Sequence, residues 1–274
     1  MIILITTVVI TIIGIVVGAG LVFTGQKFHV DVDEREAAVR AVLPGNNCGA
    51  CGYAGCDAMA AAVAAGEAPV NACPVGGAAV AQQIGEIMGT TAEALERKVA
   101  FVKCKGSCQV TGNQGNYVGV QDCRSVVLSG LHVADCDYGC LGLGSCVRAC
   151  PEDAIHIVDG VALVNRSKCV GCGLCAKACP KGLIELVPES KHVSVQCSNH
   201  DRGPQVKAVC AAGCIGCMLC TKKCEAGAIT VEGNLAHVNY ETCTQCGACA
   251  EACPVKVITL PLAARIAAAG KEED

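Results

Sequence analysis

Tryptophan is absent from this chain, and phenylalanine and tyrosine together supply only seven of its 274 residues. Aromatic side chains bury the largest areas in protein cores. Their scarcity argues against one large jigsaw core and for small modules held by cross-links or metal. An excess of one charge is missing too: 21 basic residues face 25 acidic ones, a formal net charge of −4. Nothing in that balance suggests a nucleic-acid binder. Histidine occurs six times, never in a metal-binding spacing such as H-x3-H. No Ser–His or Cys–His arrangement for nucleophilic catalysis is readable, and no catalytic residue is assigned. Carboxylates such as Asp153 and Glu185 read as solvated residues, not proton carriers. No dinucleotide fingerprint is present either.

One long apolar run is present. "MIILITTVVITIIGIVVGAGLVF" carries no charged side chain through Phe23. About 22 helical residues at ~1.5 Å each span roughly 33 Å, enough for a bilayer core. A cleaved signal peptide needs a basic leading region, which this run lacks. A buried soluble helix fits poorly, because the run is apolar on every face. The sequence reading is therefore a single transmembrane helix over 1–24. Lys27 follows the run, so the positive-inside rule places the C-terminal domains on the cytoplasmic side of the cell (inner) membrane.

The rest divides by pattern. A linker is expected over 25–33 and an Ala-rich, mainly helical four-Cys domain over 34–98. Within it, helices are expected in "CDAMAAAVAAGEAP", "VGGAAVAQQIGEIMG" and "TTAEALERKVAF", the last capped by Thr90 or Thr91. A Cys-containing connector follows over 99–135. Two ferredoxin-like units occupy 136–187 and 210–260, separated by a connector over 188–209. Each unit carries a predicted hairpin, turned at Asp159-Gly160 in the first and Gly233-Asn234 in the second. "HVSVQC" is a further strand candidate, and 261–274 reads as a short helix or frayed tail. The fold class is α+β.

What dominates the chain is cysteine, with 25 residues. An odd number cannot pair completely into disulfides within one chain. Repeated two-residue gaps bring thiolates around metal centres instead, which implies a reducing compartment. The run C-x2-C-x2-C-x3-C-P occurs at Cys169, Cys172, Cys175, Cys179 and Pro180, and again at Cys243, Cys246, Cys249, Cys253 and Pro254. This run ligates 4Fe–4S clusters, the fourth Cys serving the other cluster of a pair. Four thiolates leave a cluster no open site, which suits electron transfer. Repeated triplets make zinc a poor alternative.

By the crossed rule the second unit forms one site from Cys214, Cys217, Cys220 and Cys253. Its other site is Cys243, Cys246, Cys249 and Cys224. The first unit makes one complete site from Cys169, Cys172, Cys175 and Cys150. Its remaining residues, Cys140, Cys146 and Cys179, are one ligand short, because Leu143 stands at the second position. Either that site holds a 3Fe–4S cluster or another Cys completes it, Cys136 being nearest in sequence. A competing reading groups Cys104, Cys108, Cys123 and Cys136 into a further cluster. The spacing Cys123–Cys136–Cys140 repeats at Cys197–Cys210–Cys214, which suggests an internal duplication. Cys197 and Cys210 are open between ligation and burial as small hydrophobes. Nearer the N-terminus, Cys48, Cys51, Cys56 and Cys73 form C-x2-C-x4-C-x16-C-P, an isolated 4Fe–4S site. Five or six clusters result.

"CGACGYAGC…CPVGG", "YGCLGLGSCVRACP" and "KCVGCGLCAKACPKGLIELVP", together with the apolar N-terminus, resemble the B subunit of the Rnf complex. That is the ion-translocating electron transport complex of bacteria and some archaea. The resemblance covers nearly the whole chain, in the longer form found in anaerobes such as clostridia. It implies a subunit of an enzyme complex that couples ferredoxin oxidation and NAD+ reduction to Na+ or H+ transport. This chain would take electrons from soluble ferredoxin and pass them to other membrane subunits, itself anchored through one helix. The NAD and FMN sites of the family belong to other subunits. Lys103, Lys105, Lys222 and Lys223 are candidates for docking an acidic ferredoxin. Three alternatives stay open: an electron-transfer subunit of another membrane oxidoreductase, a structural iron–sulfur scaffold, and a cluster-assembly or sensor protein.

Overall fold

The structure is a computed structural model that describes residues 2–27, 33–92, 96–111 and 117–260. Its first helix, α1, runs Ile2–Lys27. Among the described residues no helix is long and apolar enough to cross a membrane. The expected transmembrane helix is corrected accordingly. With it go the anchoring to a membrane, the single-pass cell-membrane placement and the orientation drawn from Lys27. The residues described there, Val16, Leu21 and Phe23 among them, are exposed in this chain.

Three helices build the first Cys-bearing domain: α2 (Glu34–Val42), α3 (Cys56–Ala64) and α4 (Gly77–Met88). Asp33 caps α2 by accepting the Arg35 N–H at 2.9 Å, and Glu34 and Glu36 favour its positive N-terminal end. An ion pair between Arg40 and Asp57 joins α2 to α3. Val39, Met59, Val63 and Ile84 form the core between the helices. Gly89 ends α4 in the left-handed conformation, φ 68°, where Gly carries no steric penalty.

The expected helix over 90–101 is not found among the described residues. Residues 98–102 are instead strand β1 (Lys98–Val102). "KVAFV" offers β-branched and aromatic side chains to a sheet. Tertiary pairing overrides the helix-forming Lys98 and Ala100.

Next come α5 (Cys123–Ser129), α6 (Ser145–Arg148), β2 (Ile155–Val158), β3 (Val161–Val164), α7 (Leu174–Ala178) and β4 (Ile184–Pro188). Strand β1 pairs antiparallel with β4, from Lys98↔Pro188 to Val102↔Ile184. Strands β2 and β3 form a hairpin whose turn residues, Asp159 (φ 47°) and Gly160 (φ 79°), are both left-handed. That is the backbone of a two-residue primed turn.

The second unit repeats the order. It comprises β5 (Ser194–Val195), α8 (Gly203–Val209), α9 (Leu219–Lys223), β6 (Ile229–Glu232), β7 (Leu235–Val238), α10 (Ala248–Glu251) and β8 (Ile258–Thr259). Its opening strand β5 pairs with its closing strand β8, and β6 with β7. Each unit therefore opens with a strand upstream of its Cys motifs. That strand lies before residue 136 in one case and before residue 210 in the other. Each has its own core, around Val99, Ile155 and Val187 in the first and Val193, Ile229 and Val257 in the second.

The two units touch along their upstream segments. The Ala211 N–H donates to the Val110 carbonyl at 2.8 Å, beside an antiparallel bridge between Thr111 and Cys210. The Ser198 hydroxyl donates to the Lys103 carbonyl at 3.1 Å, and the Tyr240 hydroxyl to Glu185 at 3.2 Å. The tail over 261–274, expected as a short helix or frayed end, lies outside the described residues.

Candidate metal centres

The cysteines fall into groups, and short helices do the grouping. In the first unit Cys175 sits on α7 and Cys179 caps it, so one helix feeds two sites. Helix α6 does the same with Cys146 inside it and Cys150 just after it. Burial pushes the Cys175 thiol up to about 12, and nearby Cys169, Cys172 and Cys150 add to the rise. These four are the set expected from the crossed spacing.

The deficient set is completed differently from the expectation. Burial raises Cys146 to about 11, and its neighbours Cys140, Cys123 and Cys179 add to the rise. The same four line one cavity with about 410 Å³ of empty space. Cys123 stands where Leu143 offers nothing, and Cys136 is elsewhere. Helix α5 puts it there. Asp122 accepts the Ser125 N–H at 3.0 Å and so caps the helix. The Cys123 N–H donates to the Ser145 hydroxyl at 2.8 Å, which in turn donates to Asp122 at 2.8 Å. Those bonds hold the Asp122 carboxyl down at about 2, Ser145 contributing most. Sequence reading missed Asp122 and Ser145, because neither occupies a ligand position of a Cys motif.

In the second unit Cys224, Cys243, Cys246 and Cys249 line a cavity of about 330 Å³ of empty space. Burial pushes Cys249 up to about 11, with Cys243, Cys224 and Cys246 adding. Cys220 is likewise raised by burial and then by Cys214 and Cys217. Cys253 is buried in the same core. In the N-terminal domain burial raises Cys73, and its neighbours Cys51 and Cys56 add to the rise. The fourth member of that motif, Cys48, lies within electrostatic reach of Cys172 in the first ferredoxin-like unit. The four-Cys domain thus adjoins that unit at its metal-binding edge.

Cys104 and Cys136 part from Cys108 and Cys123, with which they were grouped. They share a cavity of about 350 Å³ with Cys197 and Cys210, between the two units. Cys108 is exposed and does not line it.

Backbone N–H groups point at many of these sulfurs. Ala100 donates to Cys169 at 3.3 Å, Ala154 to Cys150 at 3.4 Å, Ala228 to Cys224 at 3.3 Å and Gly76 to Cys73 at 3.4 Å. Such donors compensate the negative charge of a thiolate, and they set the potential of an iron–sulfur centre.

Among the described residues, no three His, Cys, Asp or Glu come close enough to hold a single metal ion. A zinc ion at ~2.3 Å from each sulfur draws its ligands into close contact. A cube of irons with thiolates outside its corners holds the four sulfurs farther apart. Four cysteines around an open cavity, with N–H donors behind them, fit the cube and not the ion.

Folded modules of this kind, cysteine tetrads crossed between two halves of a small α+β unit, define an iron–sulfur protein of ferredoxin type. Three families match it in turn: "Fe-S cluster" over residues 43–75, "4Fe-4S binding domain" over 162–185 and "4Fe-4S dicluster domain" over 213–257.

Matches along most of the chain carry the comparison further. The chain is 44% identical over 247 residues to the B subunit of the Na(+)-translocating ferredoxin:NAD(+) oxidoreductase complex of Acetobacterium woodii, covering 90% of this chain and 74% of that one. It is 43% identical over 249 residues to the B subunit of the ion-translocating oxidoreductase complex of Methanosarcina acetivorans (90% and 94%). With the B subunit of the proton-translocating ferredoxin:NAD(+) oxidoreductase complex of Clostridium ljungdahlii it shares 41% over 255 residues (92% and 90%). The chain belongs to the B-subunit family of Rnf-type ion-translocating oxidoreductase complexes.

Proposed function

We propose that this chain is the electron-transfer subunit of an Rnf-type complex, accepting electrons from reduced ferredoxin and passing them to other subunits of the complex. In this reading Cys48, Cys51, Cys56 and Cys73 hold one 4Fe–4S cluster. The first ferredoxin-like unit holds two, on Cys150, Cys169, Cys172 and Cys175 and on Cys123, Cys140, Cys146 and Cys179. The second holds two more, on Cys214, Cys217, Cys220 and Cys253 and on Cys224, Cys243, Cys246 and Cys249. With Cys123 as fourth ligand, a three-iron cluster is not needed at the Leu143 position. When bound, such clusters supply reversible one-electron transfer.

The observation that carries this reading is adjacency. Cys48 of the helical domain lies within electrostatic reach of Cys172, and α6 and α7 each bridge two tetrads. A scaffold that used metal only for folding has no need to abut its sites. The protein's own part is to bury the sulfurs, exclude water and aim N–H donors at them, which fixes each site's potential. Catalysis of substrate chemistry is left to partner subunits.

The test is an anaerobic redox titration of the full-length protein, followed by EPR, with reduced ferredoxin as donor. Several separately reducible centres that ferredoxin reduces within seconds are expected. Clusters that stay unreduced by ferredoxin, or sites filled by zinc, overturn the proposal.

A further inference from the structure

Cys104, Cys136, Cys197 and Cys210 lie outside the ferredoxin motifs, yet the fold brings them to one cavity between the units. We propose that these four hold a further 4Fe–4S cluster, built half by each unit, which joins the two units into one electron-transfer path. The inference rests on the reading that the motif cysteines hold clusters.

The two halves of the site are equivalent. Cys104 comes two residues after strand β1, and Cys197 two residues after β5. The N–H two residues on donates to each sulfur, Gly106 to Cys104 at 3.4 Å and Asn199 to Cys197 at 3.4 Å. A second donor comes from the first cysteine of each motif, Cys140 to Cys104 at 3.4 Å and Cys214 to Cys197 at 3.3 Å. Cys136 and Cys210 each precede that cysteine by four residues. Each unit thus contributes the same pair, and two copies of the pair close a tetrad.

Size and chemistry agree. The cavity's empty space, about 350 Å³, lies between the 410 Å³ and 330 Å³ of two motif sites. A side chain at Gly106 would stand 3.5 Å from the Cys104 sulfur, 3.9 Å from the Cys210 sulfur and 2.7 Å from Thr111. Only a bare backbone leaves the space open. Asn199, 2% exposed, crosses the joint and aims its amide at the Cys136 sulfur at 3.6 Å. A buried amide donor spent on a sulfur suits a thiolate ligand better than a neutral thiol.

The position explains what the site is for. Its sulfurs accept hydrogen bonds from Cys140 and Cys214, the leading ligands of the neighbouring site in either unit. It stands between Cys140 of the first unit and Cys214 of the second. Twenty-four of the 25 cysteines are then placed in tetrads, and Cys108 is left over.

Full-length protein, purified without oxygen, decides the matter by iron and sulfide content. At about four iron per cluster, the parent holds about 24. The double variant Cys136→Ser/Cys210→Ser loses about four and one reduced-state EPR component, whereas Cys108→Ser loses none. A double variant with the parent's iron, or zinc at this position, overturns the proposal. Should the double variant lose more than four, Asn199→Ala decides. It should keep about 24 iron and lower the midpoint potential of one centre alone, because a donor to its sulfur is gone. No shift in any centre overturns the proposal. A parent that binds no iron would instead refute the underlying reading of the motifs.

Discussion

The two ferredoxin-like units carry the same order of strands and helices, but they complete one site by different means. In the second unit Cys217 occupies the middle position of its triplet, three residues after Cys214. In the first unit that position is Leu143, and the substitute arrives from Cys123, at the start of α5, 17 residues before Cys140. A motif position is thus a place in space and not a place in the chain. The detour requires its own supports: a cysteine at the head of α5, the Asp122 cap and the Ser145 network. The helix in the same place of the second unit, α8, carries no cysteine.

Exchanging the two solutions gives the largest effect. Cys123→Ser should strip its site of at least one iron, and up to about four, leaving the sites of the second unit intact. Adding Leu143→Cys to that variant copies the second unit's pattern and should restore the parent's iron content and EPR spectrum. Leu143 is partly buried, between Gly142 and Gly144, which line the same cavity. If the double variant stays as poor in iron as Cys123→Ser alone, the two units are not interchangeable in the way described.

The comparison also shows where the sequence was readable. The crossed tetrads of Cys150 and of Cys224 follow from local spacing, because short helices and tight turns hold three of the four ligands within a few residues. The hairpins follow from Asp159-Gly160 and Gly233-Asn234, since a two-residue primed turn asks for left-handed residues. Local rules end where a ligand comes from another element. The equal gaps Cys123–Cys136 and Cys197–Cys210 suggested that Cys123 and Cys197 are equivalent. The structure makes Cys104 the partner of Cys197, through "VKC" after β1 and "VQC" after β5, and sends Cys123 to a different site. Strand-then-cysteine was the better signal, and reading 90–101 as helix hid it. The apolar N-terminus fails for a related reason. Composition alone does not establish that a membrane-length span is formed.

The units differ in charge presentation as well, with a smaller expected effect. In the first, Lys103 pairs with Glu185 at 3.5 Å and Lys105 donates to the Lys256 carbonyl at 2.8 Å. In the second, Lys222 and Lys223 are exposed at the end of α9, next to Cys224. Reversing both to Glu should slow reduction by ferredoxin about tenfold at low salt, and the difference should vanish near 1 M salt, where screening reaches ~3 Å. The same reversal at Lys103 and Lys105 should weaken the unit contact more than the docking rate. Stopped-flow reduction at two ionic strengths separates the two. Equal salt dependence in parent and in the Lys222/Lys223 variant would remove the second unit as the entry face.

The finest difference lies in the Asp122 cap of the first unit. Asp122 binds Ser145, Ser125 and Arg148 and holds Cys123 against α6. Its carboxyl titrates at about 2 in the fold, against 3.8 for an ordinary Asp. The unfolded form therefore takes up the proton first as pH falls. The cap's contribution is complete above about pH 4 and is lost as pH falls towards 2. Asp122→Ala should speed release of iron from the first unit about threefold at neutral pH, with the second unit unchanged. The difference from the parent should hold from pH 8 to about 5 and close between about 4 and 2. Chelator-trapped iron release, followed by loss of visible absorbance, measures both. A gap that persists unchanged at pH 2 would mean that Asp122 acts through shape alone and that its charge does not help to place Cys123.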